Sequence, residues 1–252
     1  PEKKHVITTK VEHPAVLNVC KYFGKQGYEV TELGVNKDGM LDLDELRDSI
    51  KDNTAIVSIM HANNETGVIF PIEEIGKIVK EKGVLFHCDA VQAIGKIPVN
   101  LKNSHIDLLS MSGHKLHAPK GVGVLFIRKG VRIDPLIIGG HQEDNRRSGT
   151  ENVPYIIGLG KACELAEGFV KQEQTEVRRL RDKLEKGIKD QLTHVVISGE
   201  NSERLPNTSS VSFEYVEGEA TLLLLDMAGI ATSSGSACTT GSAEPSHVLQ
   251  AM

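Results

Sequence analysis

A lysine stands at the end of a short apolar run, in the segment Ser112-Gly113-His114-Lys115. The run 108–111 predicts a β-strand, and strand ends in α/β folds point into the crevice where ligands bind. A lysine amine that is desolvated in such a crevice can condense with the aldehyde of a cofactor. Ser112 and His114 are small polar neighbours suited to an anionic phosphate. The simpler interpretation, an exposed loop lysine, stays open at this point.

An aspartate ends a second predicted strand, in the segment HCDAVQ (87–92). The aldehyde cofactor pyridoxal 5′-phosphate (PLP) needs a carboxylate at its pyridine nitrogen, which keeps the ring protonated and electron-poor. Asp89 is the candidate for that role. Gln92 lies three residues on and would face the same way if a helix begins there, so it could donate to the ring oxygen. A helix N-cap aspartate is the alternative, and the two interpretations are compatible.

Two more strand ends carry polar residues. In VEHPAV (11–16) the imidazole of His13 could stack on a flat ring or shuttle a proton, although a lone histidine is often structural. The segment HANNETG (61–67) follows an apolar run, and its adjacent asparagines suit a turn or a ligand contact.

Cys238 lies in TSSGSACTTGS (232–242), which is too rich in small residues to pack a core. We expect its thiol to be exposed, and an accessible thiolate is a nucleophile. An incidental surface thiol is the alternative.

Alternating strand and helix patterns predict the fold that positions these residues. The fold class is α/β, with a mostly parallel sheet flanked by helices and part of a smaller α+β domain at the C-terminal end. We place the large domain at 1–170 and the partial small domain, which carries the cysteine loop, at 171–252. In such a sheet the four strand ends would meet at one edge. The predicted strands are 5–9, 28–33, 55–60, 84–88, 108–111, 121–128, 194–197 and 209–213, and the predicted helices are 14–24, 42–50, 71–82, 155–191 and 220–227. The segment 139–153 is expected to be a loop.

Composition narrows the function classes. The 252 residues carry a net charge of -5, which argues against nucleic acid as a direct partner. No apolar run approaches the length of about 18 residues that a membrane span needs. The 4 cysteines are far apart, which disfavours a disulfide framework or a metal site and favours reduced thiols in the cytoplasm. The chain starts without a methionine and ends inside a helical pattern, so we expect it to be part of a longer protein.

Several long segments together resemble the NifS/IscS cysteine desulfurases, which are class V aminotransferase-like PLP enzymes of fold type I. The segments are SIMHANNETGV, FHCDAVQAIGKIPV, DLLSMSGHKLHAPKGVGVLFIRKG, RRSGTENVP and SSGSACTTGSAEPSHVL. The resemblance covers essentially the whole chain and implies a homodimer. The segment SSGSAC resembles the group with a long cysteine loop.

The resemblance implies conversion of L-cysteine to L-alanine, with the sulfur passing to an enzyme persulfide for iron–sulfur cluster assembly or thiolation. An iron–sulfur scaffold or a sulfur-carrier protein would accept that sulfur, and contact of Cys238 with a transient cluster is left open. The resemblance implies that Lys115 binds the cofactor covalently, that His13 stacks on the ring and assists proton transfer, and that Asp89 pairs with the pyridine nitrogen. Asn64 and Gln92 would contact the ring hydroxyl, and Ser112 and His114 would bind the phosphate. Thr150 would reach the phosphate of the partner subunit, and Cys238 would carry the persulfide.

Other functions are compatible with parts of the sequence. A non-catalytic scaffold for sulfur-transfer partners and a related PLP lyase, such as a selenocysteine lyase, are the alternatives. No Gly-x-Gly-x-x-Gly turn follows a strand, which disfavours a dinucleotide-binding enzyme. The family's Gly-Ala-Thr phosphate loop and its substrate-binding arginine are not in this chain. We therefore predict that the chain alone binds PLP weakly or does not turn over.

Overall fold

The computed structural model describes residues 3–234 and 246–252. Its main feature is a six-stranded sheet in the order β2-β1-β3-β4-β5-β6, in which only β6 runs antiparallel to its neighbour. The predicted mostly parallel α/β sheet is therefore confirmed. Its strands are β1 (His5–Thr9), β2 (Glu29–Leu33), β3 (Thr54–Met60), β4 (Leu85–Asp89), β5 (Leu108–Ser112) and β6 (Gly123–Ile127).

Helices cover the sheet, and their bounds lie within a few residues of the predicted ones, because apolar residues at helical spacing must face the sheet. In α3, Ile72, Ile75, Ile78 and Val79 are buried against the core cluster that also holds Val57 and Ile59 of β3. The helices are α1 (Pro14–Lys25), α2 (Leu43–Ser49), α3 (Ile72–Glu81), α4 (Gln142–Asn145), α5 (Val153–Gln172), α6 (Arg178–Gln191), α7 (Gly218–Met227) and α8 (His247–Ala251).

The C-terminal part of the chain forms a second, two-stranded antiparallel sheet of β7 (Val195–Ile197) and β8 (Val211–Phe213). The segment before β8 docks on the large sheet's loops, since the Ile69 amide donates to the Glu203 carbonyl at 2.9 Å. A buried ion pair between Arg204 and Glu185 fixes that segment to α6.

Two predicted segments differ in detail from the structure. The expected loop 139–153 contains the four-residue helix α4, in which Glu143 and Asp144 have left-handed backbones. The expected helix 155–191 is interrupted by a π-helical turn, Glu173–Val177. The proposed domain boundary near residue 170 falls within this helical run and stays a prediction. Over the described ranges, no helix combines the length and apolarity that crossing a membrane requires.

Candidate functional site

The sheet order brings the predicted site residues to one edge. Strands β1, β3, β4 and β5 are consecutive neighbours and run parallel, so their carboxyl ends lie side by side, about 4.8 Å from strand to strand. His13 follows β1, Asn64 follows β3, Asp89 ends β4, and Lys115 follows β5. Groups that are up to 102 residues apart in sequence (115 − 13) therefore share one crevice edge.

The turn after β5 presents Lys115. Residues Gly113–Leu116 form a single 3₁₀ turn that ends at His117, whose backbone is left-handed with a φ of 62°. A side chain at Gly113 would approach the Val122 carbonyl oxygen to 2.9 Å, so only glycine fits where the turn packs on the start of β6. Ser112 Oγ and His114 Nδ1 share a hydrogen bond of 2.6 Å at the base of this turn.

The Lys115 side chain is half-buried and its amine makes no hydrogen bond or ion pair with any described residue. Lys115 also lines a cavity of about 290 Å³ between the 3₁₀ turn and α5, whose walls include Leu165 and Phe169. Asp89 and His13 do not line that cavity. Lys115 therefore follows the end of β5 and lines this separate cavity, and the bonding capacity of its amine is unused by the part of the chain described.

Asp89 ends β4 with 9% of its surface exposed. Its Oδ1 accepts a hydrogen bond from the Val91 amide at 3.0 Å, which is the cap-like role weighed for it from the sequence. Residues 91–96 form hydrogen-bonded turns. The predicted orientation of Gln92 depends on a regular helix beginning there, and no such helix forms. Gln92 is half-buried in the first of these turns.

His13 caps helix α1. Its Nδ1 accepts from the Ala15 amide at 3.1 Å, and Pro14 occupies the first helical turn, where its missing N–H costs nothing. Because an accepting Nδ1 carries no hydrogen, the neutral imidazole has its proton on Nε2. The ring is half-buried.

The two adjacent asparagines of the β3 loop have different surroundings. Asn63 is buried: its Nδ2 donates to the Val11 carbonyl at 2.9 Å, and its Oδ1 accepts from the Glu65 and Thr66 amides at 2.9 Å. Asn63 thus joins the β1 and β3 loops. Asn64 is half-buried beside it.

A polar layer inside the sheet was missed from the sequence. His87, in the middle of β4, shares hydrogen bonds with Ser58 Oγ at 2.8 Å and Ser110 Oγ at 2.9 Å, so both ring nitrogens are used. Burial lowers the pKa of His87, although the Asp89 carboxylate opposes this. Since His87 precedes Asp89 by two residues, both point to one face of the sheet. The two-residue spacing between His87 and Asp89 was the signal in the sequence that could have revealed His87.

Two further titratable groups at the same edge were also missed. Glu12, directly before His13, is fully buried. His61, directly after β3, has a buried Nδ1 that finds no hydrogen-bond partner among the described residues, and burial lowers its pKa to about 4. Neither has a sequence signal beyond its place at a strand end.

Residues 246–248, which follow the predicted cysteine loop in the sequence, contact this edge of the sheet. His247 Nε2 shares a 2.9 Å hydrogen bond with the Glu12 carbonyl, and Ser246 Oγ donates to the Glu65 carboxylate. Val248 is buried in the main core. Thr150 is exposed. Cys238 lies outside the residues that the structure describes.

A family model described as Aminotransferase class-V matches residues 1–252, the whole chain. The chain belongs to the class-V aminotransferase family. Its curated relatives include a cysteine desulfurase of Nostoc sp., 61% identical over 252 residues, and the cysteine desulfurase NifS of Azotobacter vinelandii, 58% identical over 252 residues. Each alignment covers 100% of this chain and 63% of the relative, so the chain spans less than two thirds of their length.

Solved structures of class-V enzymes share the fold. A NifS-like protein superposes with a TM-score of 0.90 at 43% identity, covering 99% of this chain and 65% of that protein. DndA from Streptomyces lividans superposes with a TM-score of 0.85 at 37% identity, covering 99% of this chain and 71% of that one. The fold is that of the type I PLP enzymes to which these proteins belong.

The strand-end groups fit PLP by their chemistry. The edge supplies an amine with no other bond to a described residue (Lys115), a carboxyl group at the next strand end (Asp89), and an imidazole whose Nδ1 accepts the Ala15 amide (His13). The hydroxyl and imidazole of Ser112 and His114, already hydrogen-bonded to each other, offer two adjacent groups for a phosphate. These are the residue types that an aldehyde on a pyridine ring with a phosphate arm requires.

Proposed function

We propose that the natural protein containing this chain is a PLP-dependent cysteine desulfurase, which converts L-cysteine to L-alanine and places the sulfur on Cys238 as a persulfide. The observation that carries the proposal is the placement of Lys115 and Asp89 at the adjacent ends of β5 and β4. Relatives that align with every residue of the chain are named cysteine desulfurases, which supports the substrate.

The positions of the strand-end residues support the roles that we propose for them. Bound PLP would supply an electron sink for the carbon atoms of the substrate. Lys115 would hold the aldehyde and, once the substrate amine has displaced it, carry the α-proton of cysteine. Asp89 would keep the pyridine nitrogen protonated. His13 would stack on the ring, and its neutral tautomer offers an N–H toward the substrate.

The remaining cofactor contacts complete the site. Asn64 and Gln92, half-buried beside the ends of β3 and β4, would contact the ring hydroxyl. Ser112 and His114 would bind the phosphate from the base of the turn. Thr150 is exposed, which suits a residue that reaches the phosphate of a partner subunit in a homodimer.

The sulfur step would use the thiol of Cys238. Its thiolate would attack the substrate sulfur, the Cβ–S bond would break, and a proton added to Cβ would complete alanine. The sulfur of cysteine would then be the outer atom of the persulfide, and no external oxidant would be needed. The persulfide would pass its sulfur to an iron–sulfur scaffold or a sulfur carrier in the cytoplasm.

Replacing the attachment lysine tests the first half of the proposal. Lys115→Ala in the natural protein should abolish the visible absorbance of lysine-bound PLP and release of alanine from L-cysteine. The matched control, Lys129→Ala, removes an exposed lysine beyond the far end of β6 and should leave both unchanged. Lysine-bound absorbance that persists in Lys115→Ala would exclude Lys115 as the attachment site.

Replacing the thiol tests the second half. Cys238→Ser should retain PLP absorbance and lose persulfide formation, as followed by labelled sulfur on the protein. Cys163→Ser, at a half-buried free cysteine of α5, is the control and should transfer sulfur normally. Normal sulfur transfer by Cys238→Ser would show that another group accepts the sulfur.

A further inference from the structure

Glu12 is a fully buried carboxyl group at the edge that holds the site residues. It lies in the turn between β1 and α1, immediately before His13, and 0% of its surface is exposed. Its Oε1 accepts from Thr9 Oγ at 3.1 Å and from the Met60 amide at 2.8 Å. Its Oε2 is buried and has no hydrogen-bond partner among residues 3–234 and 246–252.

No cation of the described residues pairs with Glu12. The titratable side chains that interact with its carboxyl are acidic, and they come from α1 and β4. Cys20 on α1 and Cys88 and Asp89 on β4 all interact electrostatically with the Glu12 carboxyl. Strand β3 contributes only the Met60 amide, and His247 contacts the Glu12 carbonyl oxygen and not its carboxyl.

Asp89 is the nearby carboxyl that competes with Glu12 for a proton. Met60, which donates to Glu12, is the β3 residue paired with Asp89 in the sheet register. Two carboxylates close together in a buried region cannot both ionise without a large cost, so one of them keeps its proton. Asp89 keeps 9% of its surface exposed and accepts the Val91 amide, whereas Glu12 is 0% exposed and its Oε2 has no donor among the described residues.

We propose that Glu12 is the protonated member of a Glu12–Asp89 pair, a positioning residue that leaves Asp89 as the charged member of that pair. The proton resides on Oε2, because Oε1 already accepts two hydrogen bonds. A second negative charge beside Asp89 would compete for the protons that His13 and the pyridine nitrogen of bound PLP would hold. The functional consequence rests on the proposed PLP site, but the protonation state of Glu12 does not.

The proposal has a measurable consequence for stability. Burial, helped by the Asp89 carboxylate and opposed by the Met60 and Thr9 hydrogen bonds, raises the pKa of Glu12 to about 8 from 4.5. Between these values the folded protein keeps a proton that the unfolded chain releases. The folded state therefore loses stability through Glu12 as pH rises from about 4.5 to about 8, and the loss is constant above that.

The experiment compares thermal unfolding of the natural protein, stripped of PLP, with that of Glu12→Gln across this pH range. Glutamine keeps the two accepted hydrogen bonds and is neutral at every pH. We expect equal Tm values near pH 4.5 and a variant that is more stable by about 3 °C or more near pH 8. Glu167→Gln, an exposed glutamate of α5, is the control and should show no such divergence.

A Tm difference that is flat with pH, or a Glu12→Gln protein less stable than wild type near pH 8, would overturn the proposal. An infrared titration of the wild type gives an answer even if the variant does not fold. Because burial raises the pKa of Glu12 to about 8, the carboxylic-acid C=O band of Glu12 should persist at about pH 6 and vanish above about pH 8, and its absence at pH 6 would contradict the assignment.

Comparing the wild type with Glu12→Gln also distinguishes failure of the Glu12 proposal from failure of the proposed desulfurase function. If the protein binds no PLP at Lys115 but shows the divergence in Tm, only the desulfurase proposal fails. With PLP bound, the alkaline limb of the pH profile of alanine release should be present in wild type and shift or disappear in Glu12→Gln. A profile that is identical in both would show that the Glu12 proton does not act on the site.

Discussion

Two polar regions lie on the same three strands and differ in how their polar atoms are used. In the sheet interior, Ser58, His87 and Ser110 bond to one another across β3, β4 and β5. At the carboxyl ends of β4 and β5, Asp89 is 9% exposed and Lys115 is half-buried, and Lys115 bonds to no described residue. The side chains of the interior layer use their hydrogen-bonding atoms within the sheet, whereas the Lys115 amine at the strand end does not.

This difference separates stability from function. A buried polar group that is fully paired rigidifies a sheet and is expensive to disturb. A group at the strand end with spare capacity contributes little to folding and is available to a ligand. We therefore expect substitutions in the interior layer to reduce the free energy of unfolding, and substitutions at the strand ends to reduce cofactor binding or turnover.

The largest loss of stability is expected for His87→Ala. It leaves the hydroxyls of Ser58 and Ser110 without their shared partner and opens a cavity within the sheet. We expect the free energy of unfolding to fall by about 3 kcal/mol, measured by urea denaturation. His105→Ala, at an exposed position, should cost less than about 1 kcal/mol. Equal losses of unfolding free energy in His87→Ala and His105→Ala would contradict the stabilising role of the interior layer.

A smaller effect is expected from the pH dependence of His61. Burial lowers its pKa to about 4, so the unfolded chain takes up a proton that the folded state does not as pH falls below 6.5. Stability due to His61 is thus lost from pH 6.5 downward. Relative to His61→Asn, wild type should lose about 2 kcal/mol between about pH 7 and pH 5, by urea denaturation at each pH. Comparing the two proteins cancels the opposite contribution of Glu12.

His13 allows stability and function to be separated at one position. His13→Ala removes the cap of α1 and should cost about 1 kcal/mol in urea denaturation. His13→Asn restores a capping side chain and should regain most of that stability. Both variants should lose alanine release from L-cysteine by at least about tenfold, since neither has an imidazole. Recovery of activity in His13→Asn would show that His13 acts only as a cap.

The smallest stability effect is expected at Ser112, whose hydrogen bond to His114 is partly exposed. Ser112→Ala should change the free energy of unfolding by less than about 0.5 kcal/mol and weaken PLP binding by about tenfold, as measured by titration of the apoprotein. Ser110→Ala, two residues earlier in the interior layer, should instead lower the free energy of unfolding and have little effect on PLP binding. An unchanged PLP affinity in Ser112→Ala would remove the phosphate role assigned to this turn.

Most of the fold was predictable because it depends on local patterns. Strands such as β3 read as apolar, β-branched runs, and α3 shows its buried face at helical spacing. The meeting of His13, Asp89 and Lys115 at one edge followed from strand order, since consecutive parallel strands end on the same side. The π-helical turn at Glu173–Val177 has no such pattern, because the sequence there continues to read as helix.

The site was predictable only where chemistry sits at a strand end. Lys115, Asp89 and His13 could be named because each ends a strand or lies within four residues of its end and is of a type that suits a cofactor. His87 and Glu12 could not, because their roles depend on which groups face them from neighbouring strands, although Glu12 also lies close to a strand end. Asn63 and Asn64 show the same limit: they are adjacent and identical in type, and only the structure shows that Asn63 bonds the β1 loop.

The most direct test is to locate the lysine that binds PLP. The natural protein containing this chain would be incubated with PLP and reduced with borohydride, and the phosphopyridoxyl group would be mapped by peptide mass spectrometry. The account predicts one modified residue, Lys115, and prevention of the modification by prior addition of L-cysteine. Modification of another lysine with Lys115 left unmodified would contradict it.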